Sequence, residues 1–357
     1  MGQINKLEKL PLKRETLETL PILRQLAVSA NALGELKGIA KTIPNQTILI
    51  NAVVLQEAKD SSEIENIITT QDELYKALTT AGKQPVQVKE VINYRKAIFT
   101  GFEIIKKQGF LRVSNIETIQ KTIVENNAGI RSMSGTVLKN DRTGEVVYTP
   151  PQEKSEILDL LSNFLEFFNI NQSDLHPLIN LAVLHYQFES IHPFFDGNGR
   201  TGRILNILYL ILNNLLDIPI LYLSSFINQN KSDYYRLLNM VNKTDEWEEY
   251  ILYILKAIEE TSLKTISKIN NIKELLEETI NVAKDRASKI YRKELIELLF
   301  EQPYSKIDFV VKRLNIERKA ASRYLKKLEE IGLLKSEKIG RETVYINENL
   351  IEILKKY

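Results

Sequence analysis

Ile191-His192-Pro193-Phe194-Phe195-Asp196-Gly197-Asn198-Gly199-Arg200-Thr201-Gly202-Arg203 is the stretch around which this chain is organised. An apolar run with helical spacing, Pro177 to Phe188, leads into it, and a second, Ile204 to Leu216, leads out. A short polar loop therefore joins two buried helices. Gly197 and Gly199 allow positive φ and leave room for a ligand. The second helix is expected to begin near Gly199, and its unpaired N–H groups and positive dipole end make an anion site. Arg200 and Arg203 lie three apart, so they share a helix face and can both reach one polyphosphate. Asp196 is poorly placed against an anion unless a divalent metal sits between them, and Mg²⁺ favours such mixed carboxylate–phosphate sites. His192 adds a base that titrates near neutrality. A glycine turn before a helix is common, and a lone histidine is more often structural. Base, carboxylate, anion nest and paired arginines within so short a span are not.

These residues resemble the Fic motif, His-Pro-Phe-x-(Asp/Glu)-Gly-Asn-Gly-Arg-x-x-Arg, at every fixed position. The resemblance implies a mainly α protein: a Fic-type helical bundle with a β-hairpin flap, transferring the AMP part of ATP to a protein hydroxyl. It implies His192 as general base on that hydroxyl and Asp196 as the Mg²⁺ ligand. It assigns Gly197, Asn198 and Gly199 to the α and β phosphates, Arg200 to their support and Arg203 to the γ-phosphate. Phe194 is expected to anchor the loop in the core and Pro193 to stiffen it.

Composition sets the outer bounds. The chain has 357 residues, 43% hydrophobic and 26% charged, which is ordinary for a soluble protein with two or three domains. Without cysteine, disulfide and thiol chemistry are excluded. His176, His185 and His192 are the three histidines, too few for a multi-histidine zinc site. The N-terminus has no apolar core for a signal peptide, and no run is long and apolar enough for a membrane span, so a cytoplasmic location is expected. A net charge of +2 says little about partners.

Outward from the motif, residues 1–16 read as a loose arm, and Leu20–Ala40 and Thr47–Lys59 as helices. Asp60-Ser61-Ser62-Glu63-Ile64-Glu65-Asn66 reads as a short helix capped by Ser61 or Ser62, with Glu65 upon it. On its own this is a surface helix with solvated glutamates. Beside the Fic motif it resembles the inhibitory motif (Ser/Thr)-x-x-x-Glu-(Gly/Asn) of Fic proteins, matched by Ser61, Glu65 and Asn66. The segment from about Pro21 to Leu78 is similar to the Fic N-terminal region. Thr70–Glu73 and Ser114–Glu117 read as capping boxes, and Val86–Lys107 as a helix with Tyr94 and Phe99 in the core. Thr136–Leu138 and Glu145–Tyr148 flank a turn around Asn140–Gly144 and form a hairpin that resembles the Fic flap, where a target segment pairs along a strand edge. Arg131 at its base is placed to orient the flap, with no more specific role. His185 reads as structural, His176 as a loop or helix-start residue. Tyr235, after Tyr234, is expected either to stack on adenine or to sit in the core. Trp247–Asp285 reads as a long, polar connector helix.

Residues 290–357 carry 15 Lys/Arg against 11 Asp/Glu. Helices at Arg292–Phe300, Lys306–Leu314 and Glu317–Ile331, then strands around Gly340, resemble a winged helix, with Arg318, Arg323, Lys326 and Lys327 exposed in the recognition position. That segment is open to DNA or to a protein as partner. The division expected is 1–110 (helical region with the inhibitory motif), 111–285 (catalytic core) and 286–357 (winged-helix-like). The leading reading is a protein adenylyltransferase that uses ATP and Mg²⁺ and is autoinhibited by Glu65. The alternatives are an AMP-removing enzyme and a nucleotide-sensing DNA-binding regulator, and a homodimer is left open.

Overall fold

The computed structural model describes residues 7–13, 15, 17–80, 82–139, 144–170 and 174–356. Its helices are α1 (Leu20–Ala40), α2 (Gln46–Ile64), α3 (Gln71–Thr79), α4 (Val86–Gln108), α5 (Val113–Val124), α6 (Lys154–Asn169), α7 (Pro177–Ile191), α8 (Asn198–Leu212), α9 (Leu223–Gln229), α10 (Lys231–Thr244), α11 (Glu248–Arg286), α12 (Lys293–Glu301), α13 (Ile307–Leu314), α14 (Arg318–Glu330) and α15 (Glu348–Lys355). Two short strands, β1 (Leu138–Lys139) and β2 (Val146–Tyr148), lie between α5 and α6. Three more, β3 (Tyr304–Ser305), β4 (Lys335–Ile339) and β5 (Glu342–Ile346), belong to the C-terminal part. The mainly α architecture is as the sequence implies.

Helices α7 and α8 are the centre of the molecule. Thirteen of the fifteen residues of α7 and twelve of the fifteen of α8 are buried, so neither has a solvent face. Both are apolar around most of their circumference, which is what a helix enclosed by others requires. Phe164, Phe168, Phe188 and Tyr209 form one aromatic group between α6, α7 and α8. At the crossing of α4 and α8 a Cβ on Gly101 would lie 2.7 Å from Leu208, so glycine permits the close approach.

Three expectations change here. The first concerns α11, which is a wall of the core and not a connector. Tyr250, Ile251, Ile254, Leu255, Ile258, Ile269 and Ile272 are buried along it, against α1, α7 and α9. Its polar residues cover only the outer side. The second is the loose arm: of residues 1–16, 1–6, 14 and 16 lie outside the described residues, and the others are not loose. The Asn163 amide accepts from the Leu10 N–H at 2.8 Å and donates to its carbonyl at 2.9 Å. Gln187 donates to the Glu8 carbonyl at 2.8 Å, and Leu10 and Leu17 are buried. The third is the second capping box. The Thr70–Glu73 box is present, but α5 starts at Val113, and Asn115 accepts from the Arg112 N–H at 2.8 Å.

The β1–β2 hairpin pairs antiparallel, Leu138 opposite Tyr148 and Lys139 opposite Val146, with an irregular register. Most of its expected turn, 140–143, lies outside the described residues. In the C-terminal part, strands in the order β3-β5-β4 pair antiparallel, with α12, α13 and α14 beside them. Leu295, Leu299, Val310, Ala321, Leu325 and Leu328 form its own core. Ile296, Phe300, Tyr304 and Val344 instead join the main core, as does Leu350 of α15, a helix the sequence reading did not anticipate.

Candidate active site

The motif loop is held before any ligand arrives. His192 closes α7 in the left-handed region, at φ 48°, with its N–H on the Phe188 carbonyl at 3.1 Å. Phe194 is buried in the core as expected. The Asn198 side chain accepts from the Phe194 N–H at 2.9 Å and donates to the Phe194 carbonyl at 2.8 Å. Its amide therefore staples the loop, and what remains for a phosphate is its backbone N–H. Gly197 takes φ 81° at the start of α8, where a Cβ would also press on Val124 at 3.0 Å. From that point α8 begins at Asn198, so the N–H groups of Asn198, Gly199 and Arg200 are first in the helix with no carbonyl behind them.

Arg131, which the sequence placed only at the base of the flap, is the clamp on this loop. Its side chain is fully buried. Nε donates to the His192 carbonyl at 2.7 Å, and Nη2 to the Pro151 carbonyl and, at 3.4 Å, to that of Ile191. Its own N–H donates to the Pro193 carbonyl at 2.9 Å. A cation among the last carbonyls of α7 also opposes the helix dipole favourably. The Tyr148 hydroxyl ties β2 to the Ser190 carbonyl at 3.1 Å, so hairpin and histidine share one support. Arg131→Lys keeps the charge but loses the planar fork that reaches three carbonyls. It should cost on the order of 10²-fold in turnover, the usual penalty for a misplacement of about 1 Å. The His192 amide resonance in NMR should shift; an unchanged resonance and rate would remove Arg131 as a positioning residue.

His192 is half-buried, with the Glu189 backbone beside its ring favouring the charged form. Burial pushes its pKa down to about 4, and the positive charge of Arg131 adds to this. The ring is thus neutral at pH 7. Asp196 is exposed on the loop, accepting from Arg200 Nη2 at 3.2 Å. Arg200 is buried and also donates to Glu90 of α4 at 3.2 Å, so its guanidinium bridges two carboxylates.

Arg203 ties α8 to the end of α2. Nε donates to Ser61 Oγ at 2.7 Å, and Nη2 to the Ser61 carbonyl at 3.0 Å and to Glu65 Oε1 at 2.8 Å. Burial raises the carboxyl pKa of Glu65, and the charge and hydrogen bond of Arg203 lower it further than that. Glu65 therefore stays an anion. A Cβ on Gly199 would lie 2.5 Å from Glu65 Oε1, so the carboxylate rests against the first turn of α8. That is the place at a helix N-terminus where an anion binds.

The expected separate short helix at Ser61–Asn66 is not formed. Its residues continue α2, so neither serine caps a helix; the run Ile48 to Ala58 has no breaker before it, and buried apolar residues carry the helix onward. Glu65 is the C-cap. Asn66 is left-handed at φ 62°, with its N–H on the Glu63 carbonyl at 3.0 Å and the Ile67 N–H on that of Ser62 at 3.0 Å. This is a helix-stop geometry that asks for Gly or Asn, and it fixes where the Glu65 side chain leaves the backbone.

Two carboxyls near Arg203 escaped the sequence reading. Glu57 is fully buried one helical turn before Ser61, accepts from the hydroxyls of Tyr94 and Ser224, and is pushed up to about 8 by burial. The spacing Glu57–Ser61–Glu65 was the available signal, since all three share one face of α2. Glu189, three residues before His192, has a buried Oε1 without a partner among the described residues and is pushed up to about 7 by burial. His185 is structural as expected, bonded to Tyr234 at 2.9 Å and Asn206 at 3.1 Å, and burial lowers it to about 3. His176 starts α7, accepting from the Leu178 N–H at 3.2 Å. Tyr235 is half exposed, its ring edge-on to Tyr234 at 5.2 Å.

Comparison with known proteins agrees with the motif. Residues 110–210 match the Fic/DOC family, residues 23–103 its N-terminal family, and residues 275–350 the C-terminal domain of SoFic-like protein adenylyltransferases. A protein adenylyltransferase Fic of Drosophila grimshawi is 33% identical over 115 residues, 31% of this chain and 22% of that protein. One of Nematostella vectensis is 26% identical over 189 residues, 52% of this chain and 41% of that one. The chain thus spans less than half the length of these curated relatives. In fold it is similar to a crystal structure of a Fic family protein from Desulfovibrio desulfuricans, at a TM-score of 0.59 and 17% identity, covering 95% of this chain and 98% of that one. It is also similar to Fic-1 from C. elegans (residues 134–508), at 0.54 and 18%, covering 70% and 73%. With the motif intact at every fixed position, and family matches on both sides of it, the chain belongs to the Fic/DOC family.

Proposed function

We propose that this protein transfers AMP from ATP to a hydroxyl of a target protein, and that α2 restrains the transfer. The observation that carries this reading is the placement of Glu65. A carboxylate of the chain itself lies against the first turn of α8, paired with the buried Arg203. A site built for an anion is thereby filled from within, next to a neutral histidine. With ATP bound, Arg203 takes the γ-phosphate and the first N–H groups of α8 take the α and β phosphates. His192 then accepts the proton of the attacking hydroxyl, as general-base chemistry requires. The hydroxyl oxygen bonds to the α-phosphorus as the bond to the β-phosphate oxygen breaks, and pyrophosphate leaves.

A divalent cation fits this donor set. Among the described residues no group of three or more His, Asp or Glu forms a metal cage. Asp196 is a single exposed carboxylate beside the phosphate position, with only Oδ1 engaged. One carboxylate plus substrate phosphates is how Mg²⁺ is usually held, so Asp196 would bind it together with ATP. The ion would neutralise charge on the departing pyrophosphate. Chelation should abolish transfer, and Asp196→Ala should lower it to a similar extent. The test is incubation with α-labelled ATP, Mg²⁺ and a lysate: label on protein supports transfer, and full incorporation in excess chelator counts against the metal role. Among the described residues no helix is long and apolar enough to cross a membrane.

A further inference from the structure

Away from His192, the end of α11 and the outer face of α14 enclose an open groove of about 870 Å³. Its walls carry Arg286 and Lys289 on one side and, on α14, Lys319, Ser322, Arg323, Lys326 and Lys327 on the other. Lys327 pairs with Glu330 at 3.2 Å. Among the described residues the other five have no acidic partner, and none of the active-site residues lines the groove. On α14 the cations sit opposite Ala321, Leu325 and Leu328, which face the core, so helix periodicity holds the charge outward. Five like charges facing one another repel, and the repulsion is relieved when an anion with several charges enters.

We infer that this groove binds the phosphate backbone of duplex nucleic acid, through Arg286 and Lys289 on one wall and Lys319, Arg323 and Lys326 on the other. Lys319 to Lys326 spans about 10 Å along the helix at ~1.5 Å per residue. Measured along the duplex axis, where one strand rises ~3.4 Å per phosphate, that is about three phosphates. The strand's backbone lies in the groove while the rest of the duplex stays outside. No aromatic side chain lines it, so it lacks the stacking platform on which single strands and free nucleotides bind. No large apolar side chain is exposed between Arg286 and Glu330, so it also lacks the apolar face that inserts into a bilayer. Cations without base-reading partners give contacts to phosphate, which carry affinity without sequence preference.

The experiment is fluorescence anisotropy of the full chain with a labelled mixed-sequence DNA duplex of about 20 base pairs, at low and moderate salt. Neutralising about five phosphates gives a log–log slope near −4.5, so affinity should fall on the order of 10²–10³-fold between about 50 and 200 mM NaCl. A second, unrelated sequence should bind about equally. Arg323→Glu with Lys326→Glu should weaken binding at least about tenfold, because two phosphate contacts become repulsions. Lys107→Glu, exposed on α4, should leave it unchanged. Arg323→Gln, a milder change at the same exposed position, serves if the double variant fails to melt cooperatively. The inference is overturned by any of four results: no duplex binding at low salt, unchanged binding by the groove variants, stronger competition by a single strand of equal length, or stronger competition by polyaspartate or anionic vesicles.

Discussion

His192→Ala should lower AMP incorporation by roughly 10²–10⁴-fold, the usual contribution of a positioned general base. ATP affinity should stay close to that of wild type, because the phosphate contacts come from α8 and Arg203. The fold should survive as well. The loop is fixed by the Asn198 staple, by Arg131 and by Gln120, which donates to the Asp196 carbonyl at 3.0 Å. None of these uses the imidazole. The left-handed backbone at position 192 is tolerated better by Asn than by Ala, so His192→Asn should be equally inactive and better folded. The sign of the pH dependence follows from burial. A histidine lowered to about 4 is a free base from there upward, so His192 should place no acid limb near pH 6.5 in the kcat/KM profile, which reports the free enzyme. A limb centred near 6.5 that vanishes in His192→Asn would show a solvated imidazole in place of a buried one. Full incorporation by His192→Ala would remove the base assignment altogether.

What the sequence made legible was what is local in it. The thirteen residues from Ile191 to Arg203 hold their chemistry at fixed spacing, and the two apolar runs beside them could only be buried helices. Contacts between distant segments were another matter. Nothing in residues 60–66 marks Glu65 as the partner of Arg203. Arg131, Glu90, Glu57 and Glu189 lie on four different elements, and each acquires meaning from what packs against it. Arg131 is an ordinary basic residue until the fold brings the carbonyls of Ile191, His192 and Pro151 around its guanidinium. The errors have the same origin. Polar residues on α11 suggested a solvated connector because its apolar stripe is diluted over 39 residues. Serines at 61 and 62 suggested a cap, yet tertiary burial carried α2 through them.

Glu65→Gly should raise AMP incorporation strongly, on the order of 10²-fold. The carboxylate now holds Arg203 at 2.8 Å and rests against Gly199, so a γ-phosphate there meets a negative charge and an occupied partner. ATP displaced by about 1 Å loses in-line geometry, and such a shift can cost that factor in rate. Removing the side chain frees the guanidinium without disordering it, since Ser61 still accepts from Nε and, through its carbonyl, from Nη2. Stability should not rise. Breaking a fully buried pair typically costs about 3–5 kcal/mol, and the loss here should be smaller because the Glu65 side chain is 35% exposed. Position 65 is a C-cap at φ −88°, so glycine adds freedom there and relieves no strain. Glu65→Gln separates charge from bulk: if repulsion dominates, it should activate nearly as well as glycine. Arg203→Ala should not activate, because it removes the γ-phosphate contact together with the ion pair. The measurement is incorporation from α-labelled ATP by wild type, the two Glu65 variants and Glu65→Gly with His192→Ala. Equal incorporation by wild type and Glu65→Gly across several acceptors would sink the restraint by α2. Activity surviving in the double variant would mean that another group takes the proton, and Glu189, three residues before His192 and raised by burial to about 7, would be the first to replace.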